Sequence, residues 1–275
     1  MGIDAHAVHL LRHATRKYGP LGRTVTLGRQ SLHLGPRAMK RWTGLDAASG
    51  SVYCESMLKE HFGASVVDSI DNSPYEGATH VADMNRPLPQ SLGAYDRVLD
   101  FGCTEHIFDI GTALRNAIGL CKPGGVLMHI VPANGFCGHG FYQFSPEMFY
   151  SLYERRNGFE GTEVYVADLL DTRHWYAVSP PSGGRRVNIR SASETYVIAM
   201  TRRVAEAAIE IQQSDYVHAW SGEAKRTRCP LTFLHAGRQG SGNPSRAFRA
   251  WPACCIRWIP HFPRTCRSAW AGTPT

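Results

Sequence analysis

Residues 95–131, YDRVLDFGCTEHIFDIGTALRNAIGLCKPGGVLMHIV, contain the pattern on which the fold prediction depends. Residues 95–101 predict a strand, and apolar side chains then recur every three or four positions over residues 110–121, as in an amphipathic helix packed on a sheet. The Lys-Pro-Gly-Gly turn at 122–125 ends that helix, and residues 126–131 form a nearly unbroken apolar run, typical of a central strand. Strand, helix and strand in this order predict a parallel sheet.

The rest of the chain repeats this alternation on both sides of the central stretch. Further strands are predicted at 24–28, 64–70, 79–82, 162–167 and 194–201, and further helices at 51–62 and 146–156. A polar insertion at 179–190 separates the last two strands, so they are expected to form an antiparallel hairpin at the C-terminal end. The predicted fold class is therefore a doubly wound α/β domain with a mostly parallel sheet.

Charge divides the chain into three predicted parts. Residues 1–23 are polar and rich in His and Arg, and predict a leader or a short covering helix, while residues 24–222 carry the α/β pattern. Residues 224–275 hold nine of the 30 basic residues and no acidic one, which leaves 21 basic against 23 acidic residues before them, a net of −2. The formal charge of +7 therefore belongs to a tail, residues 223–275, which we predict to be disordered or non-native. The alternative is a basic arm that binds phosphates.

Cysteine spacing and hydropathy restrict the location and the metal chemistry of the protein. None of the eight cysteines belongs to a CxxC pair or has the spacing of a zinc site, so free thiols and no metal site are expected. The chain has no run of 18 apolar residues and its first residues lack the apolar core of a signal peptide. We expect a cytoplasmic protein without membrane insertion.

Acidic residues follow three of the predicted strands. Asp71 comes after the second strand, Asp83 after the third, and Glu105 with His106 after the fourth. Ligands of open parallel α/β sheets bind beyond the carboxyl ends of the strands, so these side chains are expected near one ligand. A carboxylate after the second strand can accept both hydroxyls of a ribose, and an acid beside an amide, as in Asp83 with Asn85, can bind an adenine amino group.

Five segments in this region together resemble a known family. They are Asp71-Asn72-Ser73-Pro74, Asp83 with Pro87-Leu88-Pro89, Tyr95–Leu99, Glu105–Asp109 and Leu120–Gly125. In order and spacing they resemble the part of class I S-adenosylmethionine-dependent methyltransferases that follows the first strand. The resemblance implies a Rossmann-like fold over residues 24–204, S-adenosylmethionine as the cofactor, and cofactor contacts from Gly28, Asp71, Asp83 and Glu105.

The loop after the first strand departs from that family. Where the family has a glycine-rich turn, residues 27–32 read Leu-Gly-Arg-Gln-Ser-Leu and retain only Gly28. Arg29 and Gln30 either crowd the cofactor or replace backbone donors with their side chains. The rival hypothesis is therefore a noncatalytic relative that serves as a scaffold or interaction protein. A nicotinamide-dependent oxidoreductase would need a GxGxxG fingerprint, which is absent.

The loop after the fifth strand supplies the predicted acceptor contacts. His139 is predicted as a general base because its ordinary pKa lies near neutrality, with Tyr142 as a second catalytic residue. Asn134 and Gln143 are predicted to contact the substrate; the alternative for His139 and the surrounding Phe and Tyr residues is that they only pack a glycine-bent loop. The sequence thus predicts a methyltransferase for a small-molecule or glycan-precursor acceptor, with no nucleic-acid partner; the acceptor itself and the oligomeric state are left open.

Overall fold

A computed structural model describes residues 2–43, 53–182 and 187–221 and two short strands beyond them. The helices are α1 (Ala5–Tyr18), α2 (Pro36–Thr43), α3 (Glu55–Phe62), α4 (Ile110–Leu120), α5 (Pro146–Leu152) and α6 (Ser214–Trp220). The strands are β1 (Gly22–Leu27), β2 (Ala64–Asp71), β3 (His80–Val81), β4 (Tyr95–Phe101), β5 (Cys121–Asn134), β6 (Phe159–Asp168), β7 (His174–Val178), β8 (Ile189–Ser191), β9 (Thr195–Arg203), β10 (Thr232–Leu234) and β11 (Ile256–Pro260). The predicted helix start at Ser51 and most of the predicted tail lie outside the described residues.

Nine strands form the main sheet, in the order β11-β7-β6-β9-β5-β4-β1-β2-β3. Strands β1 to β5 pair in parallel, whereas β9 is antiparallel to both β5 and β6, and β7 is antiparallel to β6. The chain builds outward from β1 in one direction and then from β4 in the other, so the strand order reverses between these two strands. The predicted doubly wound, mostly parallel sheet with an antiparallel C-terminal part is confirmed.

Side chains alternate between two faces along each central strand, and each face has its own core. In β5, Leu127 and Val131 pack on the side of α4 and α5, whereas Val126, Met128 and Ile130 pack on the side of α1 and α3. This two-residue period is the geometry of a strand covered on both faces. The result is a three-layer arrangement in which the loops at the carboxyl ends of β1, β2, β4 and β5 remain open to a ligand.

Residues 1–23 were predicted to form either a leader or a short covering helix, and the structure has the helix, α1. Asp4 caps α1 by accepting a hydrogen bond from the Ala7 amide at 2.9 Å, and Leu10 and Leu11 are fully buried. His6 Nδ1 accepts a hydrogen bond from the Trp175 indole of β7 at 2.9 Å, so α1 is tied to the far end of the sheet. None of the helices in the described part of the chain combines the length and apolar character that a membrane span needs.

Several element boundaries differ from the sequence-based prediction. The fifth strand begins at Cys121, before the Lys-Pro-Gly-Gly turn, because Cys121 already pairs with Tyr95 across an irregular register. The helix predicted for 146–156 ends at Leu152, and a 3₁₀ turn at Arg155–Asn157 follows it. Strand β7 and helix α2 were not predicted; they are short, with five and eight residues.

Candidate cofactor and acceptor site

A cleft of about 350 Å³ lies at the carboxyl ends of β1, β2 and β4, where the strand order reverses. This reversal is the position at which open α/β sheets bind their ligands, and the volume is within the range of small-molecule sites. Residues of the walls include Gly28, Asp71, Asp83, Asn85, Cys103 and His106. The cleft therefore gathers side chains from the loops after β1, β2, β3 and β4.

Gly28 brings the first and fourth strand loops close together. Its φ is 69°, a left-handed conformation that favours glycine, and its amide donates a hydrogen bond to the Ile70 carbonyl at 2.7 Å. A Cβ at this position would lie 3.8 Å from the Cys103 sulfur. Gly28 thus occupies the position where the backbone turns beside the cleft.

The Arg29 side chain is tied to the rim of the cleft. Its Nε lies 2.7 Å from Glu55 Oε1, its Nη1 donates to the Glu76 carbonyl at 2.5 Å, and its guanidinium lies 4.0 Å from the centroid of the Tyr53 ring. Gln30 is only 3% exposed and donates from Nε2 to the Leu27 carbonyl at 2.6 Å. Arg29 and Gln30 both contribute to the wall of the cleft. The contacts of Arg29 with Glu55, Glu76 and Tyr53 hold its guanidinium at that wall.

Asp71 and Asp83 both line the cleft, as predicted from their positions after strands. Asp71 Oδ1 accepts a hydrogen bond from the Ser73 amide at 3.3 Å. Asp83 Oδ1 accepts from the amide and the side chain of Asn85, at 2.9 and 2.8 Å, and these bonds lower the pKa of Asp83 below its usual value. The cleft therefore presents two acidic side chains to a ligand.

Glu105 is turned away from the cleft wall into the protein. Its side chain is 0% exposed, and burial, followed by the negative charge of Asp100, raises the pKa of Glu105 to about 8. The neighbouring His106 lines the cleft instead. The Glu105 carboxylate lies 3.4 Å from His139 Nε2, so a residue predicted to contact the cofactor meets one predicted to act on the acceptor. Burial lowers the pKa of His139, which is therefore neutral at pH 7.

The other predicted acceptor residues make hydrogen bonds within the loops of this region. The Tyr142 hydroxyl donates to the Phe108 carbonyl at 2.6 Å, and Gln143 Oε1 accepts from the Phe136 amide at 3.1 Å. Asn134 Nδ2 donates to Ser191 Oγ at 2.7 Å. These contacts fold the loop, and the predicted catalytic or substrate roles of Tyr142, Gln143 and Asn134 stay predictions.

A buried polar chain that the sequence analysis missed supports the turn before Glu105. Asp100 accepts hydrogen bonds from the amides of Cys103 and Thr104, both at 3.2 Å, and lies 2.8 Å from His129 Nδ1. On its other side, His129 Nε2 lies 2.5 Å from the Tyr153 hydroxyl. Burial alone would raise the pKa of Asp100, but the bonds from His129 and Thr104 lower it, so the buried carboxylate is ionised. The sequence contained a signal for this chain of hydrogen bonds, because Asp100 in β4 and His129 in β5 lie at paired positions of neighbouring strands.

Replacing Gly140 by alanine is expected to lower the free energy of unfolding by about 1–3 kcal/mol. Its φ is 70°, and a Cβ would lie 2.8 Å from the Glu105 carbonyl oxygen, which accepts the Phe141 amide at 2.7 Å. Urea denaturation measures the effect. Gly138→Ala is the matched control, because a Cβ there meets no atom within 4 Å; equal stability of the two variants would contradict the close approach of this loop to Glu105.

Three solved structures illustrate the similarity to known proteins. N-methyltransferase NodS from Bradyrhizobium japonicum aligns with a TM-score of 0.41 and 13% identity, over 72% of this chain and 94% of that one. A SAM-dependent methyltransferase from Thermotoga maritima aligns at 0.40 and 16%, over 72% and 91%. The 1,6-didemethyltoxoflavin-N1-methyltransferase from Burkholderia thailandensis, with bound S-adenosylhomocysteine, aligns at 0.38 and 15%, over 73% and 79%.

No protein-family model matches the chain, and no curated protein matches it by sequence. The TM-scores are low, so the fold assignment rests on the topology. The sheet has a parallel order β3-β2-β1-β4-β5, continued by the antiparallel strands β9 and β6, and a cleft lies at the β1/β4 reversal. The chain therefore has a Rossmann-like, doubly wound α/β fold, as its sequence predicted.

Proposed function

We propose that this protein is a methyltransferase that binds S-adenosylmethionine in the cleft at the β1/β4 reversal. The observation that carries the proposal is the convergence of Gly28, Asp71 and Asp83 on the walls of this one cleft. A carboxylate at the end of β2 has the chemistry and the place to accept two ribose hydroxyls, and Gly28 allows the backbone to approach the ligand. The residues present thus fit a nucleoside cofactor.

Each residue of the cleft has a definite part in this proposal. When bound, S-adenosylmethionine supplies an electrophilic methyl group. Asp71 would hold the ribose, Asp83 and its neighbour Asn85 would bind the base, and Gly28 would allow the methionyl part to approach the backbone. Methyl transfer requires chiefly that acceptor and methyl group be held in line, so we assign the protein mainly a positioning role. Glu105 is assigned no cofactor contact, because it is buried behind His106.

The acceptor is proposed to be a small, partly apolar molecule. A second cavity, of about 220 Å³, lies at the carboxyl ends of β4 and β5, and its walls are Gly2, Asp4, His33, Phe101, Ile130 and Tyr196. The Tyr196 ring stacks on Phe136 with centroids 5.5 Å apart, and Phe136 lies 5.9 Å from the His139 ring. These contacts support an acceptor held between the cavity and the loop that contains His139. A glycan precursor is the alternative for which the apolar walls are less suited.

The location of the protein and its alternative function belong to the same proposal. A cytoplasmic location is supported by free thiols such as Cys54 and Cys121, which are buried. The alternative function, a noncatalytic scaffold, is favoured by the bulky Gln30 side chain buried in the turn where the family has glycines. The contacts of Arg29 with Glu55, Glu76 and Tyr53 oppose the scaffold hypothesis, because they keep the arginine side chain at the rim of the cleft.

Calorimetric titration of the full chain with S-adenosylmethionine distinguishes the two functions. Saturable binding of one cofactor per chain is expected, together with binding of the product S-adenosylhomocysteine at the same site. Nicotinamide adenine dinucleotide serves as the negative control, since the fingerprint for it is absent. No heat at millimolar S-adenosylmethionine would leave only the scaffold hypothesis.

A further inference from the structure

Three side chains with metal-ligating atoms converge behind the wall of the cleft. Glu105 Oε1 lies 3.4 Å from His139 Nε2 and 3.8 Å from His106 Nε2, and one ligand atom from each residue lies within 4.8 Å of the others. The two imidazole rings have centroids 4.7 Å apart at an interplanar angle of 73°, so they converge without stacking. Two imidazoles and one carboxylate are a donor set used by catalytic zinc and by other divalent transition metals.

Among the described residues, the carboxylate of Glu105 has no hydrogen-bond partner. Glu105 is 0% exposed, and neither of its carboxylate oxygens makes a hydrogen bond to any residue that the structure describes. The Nε2 atom of His139 is also shielded from solvent, and it makes no hydrogen bond within the described part of the chain. A buried acid without a partner is costly, and a cation bound between these atoms would satisfy both groups at once.

The cluster borders the cleft through His106, which lines it. The side chains of His106 and His139 are 46% and 34% exposed, whereas Glu105 closes the inner end. Tetrahedral zinc with ligand bonds of about 2.0–2.1 Å places its ligand atoms about 3.3 Å apart. Glu105 Oε1 and His139 Nε2 already have this separation, and His106 Nε2 lies 3.8 Å from Glu105 Oε1.

We propose that Glu105, His106 and His139 bind one divalent transition-metal ion, with zinc as the expected type, and leave a coordination position open toward the cleft. The prediction that the chain has no metal site depended on cysteine spacing, and this cluster contains no cysteine. Binding of the ion needs only these three side chains and does not depend on methyl transfer. If the protein is the methyltransferase proposed above, the open position takes an oxygen of the acceptor.

The site is tested by cobalt titration of the full chain after treatment with a chelator. We expect one Co²⁺ per chain with visible d–d absorption, displaced by Zn²⁺. His106→Ala is expected to weaken Co²⁺ binding at least tenfold without unfolding the chain, because this side chain is half exposed, and Glu105→Gln is expected to do the same. His61→Ala, which removes an exposed imidazole from α3, is the matched control and should bind as the parent does.

Any one of three results would overturn the metal proposal. Unchanged affinity in His106→Ala, absence of Co²⁺ binding by folded protein, or a spectrum dominated by thiolate charge transfer would exclude this cluster as the ligand set. Folding of every variant is checked by circular dichroism. Failure of the metal site is distinguishable from failure of the proposed function, because S-adenosylmethionine binding is measured separately on metal-free protein.

Discussion

An Asp71→Ala variant is expected to bind S-adenosylmethionine about 10- to 100-fold more weakly than the parent chain. Hydrogen bonds to a charged group contribute about 1.5–3 kcal/mol, and about 1.4 kcal/mol corresponds to a tenfold change in affinity. Asp71 lines the cleft at the end of β2, and its described hydrogen bond reaches only the amide of Ser73, two residues away. The substitution should therefore remove ligand contacts with little effect on the fold.

Calorimetry on the parent and the variant measures this difference. Glu60→Ala is the matched control, because it removes the same charge from an exposed position of α3 outside the cleft. If the two variants bind the cofactor equally well while both remain folded, Asp71 does not hold the ribose and the orientation of the nucleoside in the cleft is wrong.

Replacing Asp100 by leucine is expected to lower the free energy of unfolding by about 3–5 kcal/mol. The carboxylate is 0% exposed and accepts bonds from His129, from the Thr104 hydroxyl at 2.7 Å, and from the amides of Cys103 and Thr104. All of these donors would be buried without an acceptor after the change, and each orphaned group has its own desolvation cost. Urea denaturation monitored by tryptophan fluorescence measures the loss.

The double variant Asp100→Leu with His129→Leu separates the two contributions to this loss. Removing the imidazole as well relieves the orphaned Nδ1–H, so the double change should cost clearly less than the sum of the two single changes. Additive costs, or a loss below about 1 kcal/mol for Asp100→Leu alone, would show that the buried chain does not stabilise the fold as the hydrogen bonds indicate.

The local sequence pattern was sufficient to predict most strands of the sheet, but it did not predict strand β7 or the full length of β5. Strand β4 has the predicted limits, and α4 matches to within a residue, because their apolar spacing is regular and buried on the expected faces. Strand β7 was missed, since its burial comes from α1, a contact between residues 169 positions apart that no local period records. The length of β5 was underestimated for a related reason, because pairing with β4 extends it across a proline and two glycines.

The site could be predicted in position but not in orientation. The rule that ligands bind at the carboxyl ends of parallel strands identified Asp71 and Asp83, which line the cleft. The same rule selected Glu105, yet its side chain points inward because Asp100 holds the amides of Cys103 and Thr104 and thereby sets the turn. Side-chain direction after a strand depends on such tertiary bonds, and spacing along the chain does not record them.

The insertion of β9 between β5 and β6 affects how the protein is made on the ribosome. All five parallel strands and β6 emerge before Thr195, yet β5 has no partner on its second edge until β9 has been synthesised. A nascent chain stopped before that point presents a long apolar edge that favours association with other chains. Synthesis through Arg203 is therefore required before β5 and β6 gain the strand that pairs with both of them.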